Sequence, residues 1–287
     1  EQGWLNLSGN ILEEESFLFH SAIDRLWIDF TKGNLQIRAG RQRINWGQNI
    51  MWNPNDIFNA YSFFDFDYVE KPGSDALRIQ YYTGVSSVAE VAAKVDHNDN
   101  ITAAGKFRFN TWNYDIQLLA GILNSEDYVI GGGWAGDIKG AGFRGEFTYF
   151  HPQENFSDSS GFLMFGISAD YTFRNSLYIL GEFLYSGYDF SFANFSDFYF
   201  MPLSVKTLSF TDFSVALQAS YPFTPLFTGN LAAIYYPSLD AVFVGPTLDI
   251  SLKDNLSFSI IAQYFNGKFR EFREDLGFGF LRLKWNF

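Results

Sequence analysis

The chain has 287 residues, a formal net charge of -12, no cysteine, and aromatic side chains at 20% of its positions. So much apolar surface excludes a disordered polymer, the missing thiols exclude a disulfide scaffold, and the acidic balance argues against nucleic acid, which needs a basic face. Polar residues interrupt every apolar run well short of the roughly 18 residues of a membrane-crossing helix.

No secretory leader is visible at Glu1, which fits both a mature exported chain and one that never had a leader. From there on the pattern is apolar alternation with a period of two, the mark of strands with one wet and one dry face. In chain order the segments are 4–11, 25–30, 34–40, 75–82, 88–95, 104–110, 115–123, the glycine-rich 129–138, 143–150, 166–173, 178–185, 212–221, 228–236, 244–252, 256–265 and 281–287. In the last of them Leu281, Leu283, Trp285 and Phe287 share one face, and Arg282, Lys284 and Asn286 the other.

Two kinds of connection alternate between these segments. Tight ones are expected at 32–33, 83–84, 110–113, 139–140, 174–175, 222–225 and 253–255. Longer, more acidic ones are expected at 13–17, 45–74, 96–100, 124–127, 151–160, 187–208, 237–240 and 267–275. An up-and-down sheet whose two ends face different surroundings gives this alternation, as in outer-membrane barrels with short periplasmic turns and long external loops. The expected fold is therefore all-β: a single transmembrane antiparallel up-and-down β-barrel over residues 1–287, of about 16 strands (alternatively 14), with both termini at the short-turn end. A soluble barrel would also alternate. However, it would not combine bulky and small residues on its dry face with mid-strand Arg, Lys, Asp and Glu on the other, because inward charges need water.

The alternating strands and the closing Trp285-Asn286-Phe287 resemble Gram-negative outer-membrane β-barrels of the porin type, over the whole chain. The stretch Gly40-Arg41-Gln42-Arg43-Ile44-Asn45-Trp46-Gly47, followed by Asn53-Pro54-Asn55-Asp56-Ile57-Phe58, is similar to a motif of porin-like barrels in such bacteria, without fixing a subfamily or a substrate. The resemblance implies location in the cell outer membrane and a channel for passive diffusion of small polar or ionic solutes. It also implies contact with outer-membrane lipid and handling by the barrel-assembly machinery, with Trp285 and Phe287 as the assembly signal. The alternative function is a barrel that serves as structural or assembly partner of other outer-membrane proteins.

If the apolar members of each strand face lipid, the others face the lumen. Pore-lining bases are then Arg25, Arg38, Arg78, Lys106, Arg108, Arg144, Arg282 and Lys284, and pore-lining acids Asp170, Glu182, Asp212 and Asp249. They would form a basic wall opposite an acidic one, while Asp29, Glu90, Asp115 and Glu146 pair with neighbouring bases. A plugged lumen with mutually neutralised charges is the alternative.

The 45–74 connector is long and aromatic, and such loops are usually packed and often functional. Its Trp52, Asn53, Asp56, Phe58, Tyr61, Phe64 and Asp65 are candidates for a constriction loop, with packing over the barrel mouth as the alternative; 187–208 is a second loop of this kind. Enzymatic chemistry is not expected: His20, His97 and His151 have no nucleophile motif beside them. No cofactor or metal is expected either. Asp96, Asn98 and Asn100 begin like a calcium loop, but Ile101 stands where such a loop needs Gly.

Overall fold

The computed structural model describes residues 3–14, 17–60, 73–188, 204–269 and 272–286. Strands β1 (Ser8–Glu14) and β2 (Phe17–Ala22) form a two-stranded sheet of their own. The remainder are β3 (Leu26–Lys32), β4 (Leu35–Gln42), β5 (Ser74–Gly84), β6 (Ser87–Val95), β7 (Ile101–Thr111), β8 (Tyr114–Leu123), β9 (Asp127–Ile138) and β10 (Ala141–Pro152). They continue with β11 (Phe162–Thr172), β12 (Tyr178–Ser186), β13 (Phe213–Thr224), β14 (Phe227–Tyr236), β15 (Ala241–Lys253), β16 (Leu256–Phe269) and β17 (Phe272–Trp285). These fifteen lie in strict sequence order in one sheet, each beside the next, which is the up-and-down connectivity expected. The described residues contain no α-helix, only 3₁₀ turns at Val205–Thr207 and Pro237–Leu239.

Two tight turns put a pair of successive residues in the left-handed region, the second of each pair being Asn or Gly, which tolerate it. Trp112 and Asn113 have φ of 51° and 63°, and Lys139 and Gly140 have 53° and 85°. Two such residues in a row match the twist of the flanking strands, so the hairpin closes without splaying.

Three expected connections differ. The acidic 13–17 segment is not a long loop, because β1 runs through Glu13 to Glu14 and β2 starts at Phe17, adding a strand and raising the count among described residues to 17. The 124–127 connection is a tight turn, with Asn124 and Ser125 at φ 51° and 56°. The 267–275 connection is largely strand, with Asn266 opposite Asp275 and Lys268 opposite Arg273. There the ladder is carried by polar pairs: Tyr264 donates to Asp275 at 2.6 Å, and Arg273 donates to Asn266 at 2.7 Å and to Asp240 at 2.5 Å. Cross-strand polar pairing needs no apolar alternation, so the pattern that marks the other strands is missing.

Two compact units divide the chain: Glu1–Ala135 with Glu146–Leu163 and Leu203–Leu208, and Gly136–Gly145 with Met164–Pro202 and Ser209–Phe287. In the first unit the usual order of burial is reversed. Glu90 is 4% exposed beside Val91 at 57%, and Gln117 is 2% exposed beside Leu118 at 54%. A soluble sheet buries its apolar side; here the covered face mixes Glu90, Gln117, Glu146 and Thr148 with Val88, Ala92 and Leu119, while the open face is Val, Leu, Ile and Phe. In the second unit the open face is likewise apolar, with Leu217, Leu248, Ile260, Leu281 and Leu283 exposed.

Candidate functional site

The polar face of the first unit carries two things: a set of charges on β3–β7 and a strap made by residues 44–59, which leave β4 and return to β5. Successive strands bring their inward side chains to adjacent positions, so the charges meet in register. Arg38 stands opposite both Asp29 and Arg78, and Glu90 opposite both Gln80 and Lys106. Arg38 pairs with Asp29 at 2.7 Å and lies over the Trp27 ring. Glu90 receives Lys106 at 3.4 Å, Gln80 at 2.9 Å and, more distantly, Arg78 at 3.9 Å. Four bases, Arg38, Arg78, Lys106 and Arg108, thus share this face with the carboxylates Asp29 and Glu90. Asp115, at the end of β8, accepts from Asn110 at 2.9 Å.

The strap is bonded to this face at each end and along its length. Ile44 N–H donates to Asn59 Oδ1 at 2.9 Å, and Asn59 donates to Ser74 Oγ at 3.0 Å, closing its base. The Trp46 indole N–H donates to Glu90 on β6 at 2.7 Å, while Trp46 O accepts from Gln117 on β8 at 2.6 Å. Gln48 N–H donates to Glu146 on β10 at 3.1 Å. At the far end Asn55 donates to Gly132 O on β9 at 2.9 Å, and the Thr148 hydroxyl lies 2.8 Å from Pro54 O and 2.7 Å from Asn55 Oδ1. On the return Lys94 donates to Phe58 O at 2.6 Å. Trp46 and Phe58 meet edge to face with ring centroids 4.8 Å apart. Trp46, Met51, Trp52, Asn53, Asn55, Asp56, Ile57 and Phe58 are all buried.

Of the constriction candidates, Trp52, Asn53, Asp56 and Phe58 therefore belong to a packed strap on the polar face, whereas Tyr61, Phe64 and Asp65 lie outside the described residues. Arg25 is not on a strand: it sits in the bend before β3, with its guanidinium on Asp24 O at 2.8 Å. Asp212 also stands outside the ladder, exposed in the connection just before β13, where its carbonyl accepts from Ser186 N–H at 2.9 Å.

In the second unit Arg144 and Asp170 are bonded to each other on neighbouring strands, so at this point the expected basic and acidic walls are one neutral pair. The physical reason is register: inward side chains of adjacent strands lie within reach of one another before they reach an opposite wall. Glu182 is buried on β12, and Asp249 accepts from Asn230 at 3.0 Å and Ser259 at 2.6 Å. Arg282 is opposite Ser259, and Lys284 opposite Ser257. The connection into β13 turns inward, with Phe210 4.2 Å from the Tyr236 ring and the Ser209 and Ser214 hydroxyls 2.6 Å apart. Trp285 is exposed on β17, and Phe287 lies outside the described residues.

Two features of the first unit were not anticipated. The wall accepts the strap tip because Gly131 has no side chain: a Cβ there would lie 2.7 Å from both Asn55 Oδ1 and the Phe147 carbonyl. The run Gly131-Gly132-Gly133 was the available signal, since glycine inside a strand often marks close approach of another segment. The other is Lys206, on the 3₁₀ turn before β13, which binds Asp127 and reaches Glu126 at 3.4 Å. Burial alone would lower the ammonium, but the hydrogen bond and charge of Asp127, with Glu126 behind, hold its pKa above the usual lysine value. Asp96, the first residue of the calcium-like stretch, is engaged within its own turn. It accepts from Asn98 N–H at 2.8 Å and Asn100 N–H at 2.9 Å.

No family model and no curated protein matches the chain. Solved structures do. The chain is similar to Pseudomonas aeruginosa OccK10 (OpdN), at 10% identity and a TM-score of 0.61, covering 90% of this chain and 82% of that one. It is similar to P. aeruginosa OccK11 (OpdR), at 8% identity and a TM-score of 0.61, covering 94% and 80%. Acinetobacter baumannii OccAB4 gives 9% identity, a TM-score of 0.59 and coverage of 90% and 73%. These are Occ-type outer-membrane porins. The fold is thus that of the porin-type outer-membrane β-barrels of Gram-negative bacteria.

Proposed function

We propose that the chain is a passive channel of the outer membrane, through which small polar and ionic solutes diffuse. The observation that carries the reading is the reversed burial of the first unit, where a polar face bearing Arg38, Arg78, Lys106 and Arg108 is covered in part by a bonded strap. Such charges favour polar permeants over lipophilic ones, and a strap lying on the inner wall takes up cross-section that water would otherwise fill. In the first unit residues 44–59 are the constriction and Arg38, Arg78, Lys106 and Arg108 are pore-lining; in the second, Arg282, Lys284, Glu182 and Asp249 are the pore-lining residues. The exposed apolar face, ending with Leu281, Leu283 and Trp285, meets lipid, and Trp285 with Phe287 is the signal read by the assembly machinery.

Single-channel recording of the purified protein in a planar bilayer tests this. Discrete current steps in simple salt are expected, and a barrel that inserts but carries no current would overturn the reading.

A further inference from the structure

Trp46 is held at its ring, its indole N–H and its backbone carbonyl together. Lys106 Nζ lies 4.8 Å from its ring centroid, Glu90 accepts from its indole at 2.7 Å, Gln117 donates to its carbonyl at 2.6 Å, and Phe58 packs against its edge. Glu90 is the complementary hub on the wall. Its carboxylate is buried, yet it is reached from the strap by Trp46 and from β5 and β7 by Gln80, Arg78 and Lys106. A buried carboxylate is tolerated only where donors and opposite charge surround it, and removing one donor leaves a desolvated lone pair.

From this geometry we infer that Glu90 is a positioning residue. Through Trp46 it fixes the 44–59 strap against the wall, and through Arg78 and Lys106 it sets how much positive charge the path presents. The two roles are separable by chemistry. Glu90→Gln keeps an oxygen that accepts from the indole but removes the charge that balances Arg78 and Lys106. Trp46→Phe keeps an aromatic ring for Lys106 and Phe58 but removes the indole donor. The first variant therefore alters selectivity and leaves the strap in place; the second loosens the strap and leaves the wall charge as it was.

The inference rests on the channel reading only for its effect on current, so two measurements are made on the reconstituted full chain. Amide hydrogen exchange is expected to speed up by roughly tenfold within residues 44–59 in Trp46→Phe and Glu90→Ala, with strand amides unchanged, and to stay near wild type in Glu90→Gln. Single-channel recording is expected to show a larger or more variable conductance for Trp46→Phe. For Glu90→Gln, reversal potential should move toward anions at nearly wild-type conductance. Unchanged strap exchange in Trp46→Phe overturns the inference, and because that variant keeps both the ring and the wall charge, its result decides even if Glu90→Ala loses strand protection throughout. If exchange responds as expected while wild type carries no current, the latch stands and the channel reading falls.

Discussion

Asn55, at the far end of the strap, donates to the Gly132 carbonyl at 2.9 Å, a bond between residues 77 positions apart in the chain. Its own amide oxygen lies 2.7 Å from the Thr148 hydroxyl, so one side chain ties the strap to β9 and β10. The seat exists only because Gly131 leaves room for it. Gly131→Ala would place a methyl group 2.7 Å from the Phe147 carbonyl, which is backbone and cannot swing aside. Overpacking of this kind costs about 1–3 kcal/mol. A lower denaturant midpoint is expected, together with faster exchange at 53–56; unchanged values for both would mean that the strap tip does not sit where Asn55 places it.

A second test concerns Arg41 and Asp75. Their bidentate pair, at 2.8 and 2.9 Å, has side chains only 6% and 5% exposed, and Leu5 N–H also donates to Asp75 at 2.8 Å. The same guanidinium reaches the Leu5 and Ile23 carbonyls. It therefore joins β4 and β5 to the segment before β1 and the bend after β2. Arg41→Ala leaves a buried carboxylate without its cation, and breaking a buried pair from one side costs about 3–5 kcal/mol. Unfolding of the variant in urea with lipid present should show a loss of that order. A loss below about 1 kcal/mol would make the pair a solvated one.

The open apolar face makes its own prediction. Leu248 is near the middle of β15, in register with Gly229 on β14 and Ile260 on β16, and is exposed. If that face meets hydrocarbon, Leu248→Arg should destabilise the folded state by about 2–4 kcal/mol. The control is Ser251→Arg on the covered parity of the same strand, where a much smaller change is expected. Equal effects at both positions would remove the distinction between a lipid face and an inner face.

Most strands were legible because one physical rule, alternate sides for alternate residues, leaves a trace in sequence wherever one side is greasy. Val91, Leu118 and Leu281 sit on the open face for the same reason that Glu90, Gln117 and Arg282 sit on the other. The rule fails at 267–275, where Tyr264, Asn266, Arg273 and Asp275 hold the ladder by polar pairing, and at 13–17, where Glu13 and Glu14 are strand residues that read as loop. The aromatic wealth of the 45–74 connector marked it as packed, but nothing local reveals what it packs on. Trp46 and Glu90 are 44 residues apart, and Asn55 and Gly132 are 77 apart, so their contacts depend on which strands the sheet brings together. Likewise the placement of Arg144 beside Asp170 is a matter of register between β10 and β11, which alternation by itself leaves open.

The charge on the polar face of β3–β7 leads to the remaining prediction. Arg38, Arg78, Lys106 and Arg108 outnumber Asp29 and Glu90 there, so the local fixed charge is positive. Arg78 is hydrogen-bonded to Gln80 at 2.6 Å and lies 3.9 Å from Glu90, a loose pair rather than a neutral one. Replacing both Arg78 and Arg108 by Gln removes two positive charges while Glu90 stays. The potential along this stretch of the path then becomes more negative, cations gain, and anions lose. Reversal potential measured across a salt gradient should therefore move toward the cation limit, by the opposite sign to Glu90→Gln. Screening fixes the dependence on conditions: with a Debye length of about 10 Å at 0.1 M and about 3 Å at 1 M, the shift should be large in dilute salt and shrink in concentrated salt. An unaltered reversal potential at low salt would place Arg78 and Arg108 outside the conduction path. A shift that does not fade with salt would point instead to a change in pore shape, because geometry is not screened.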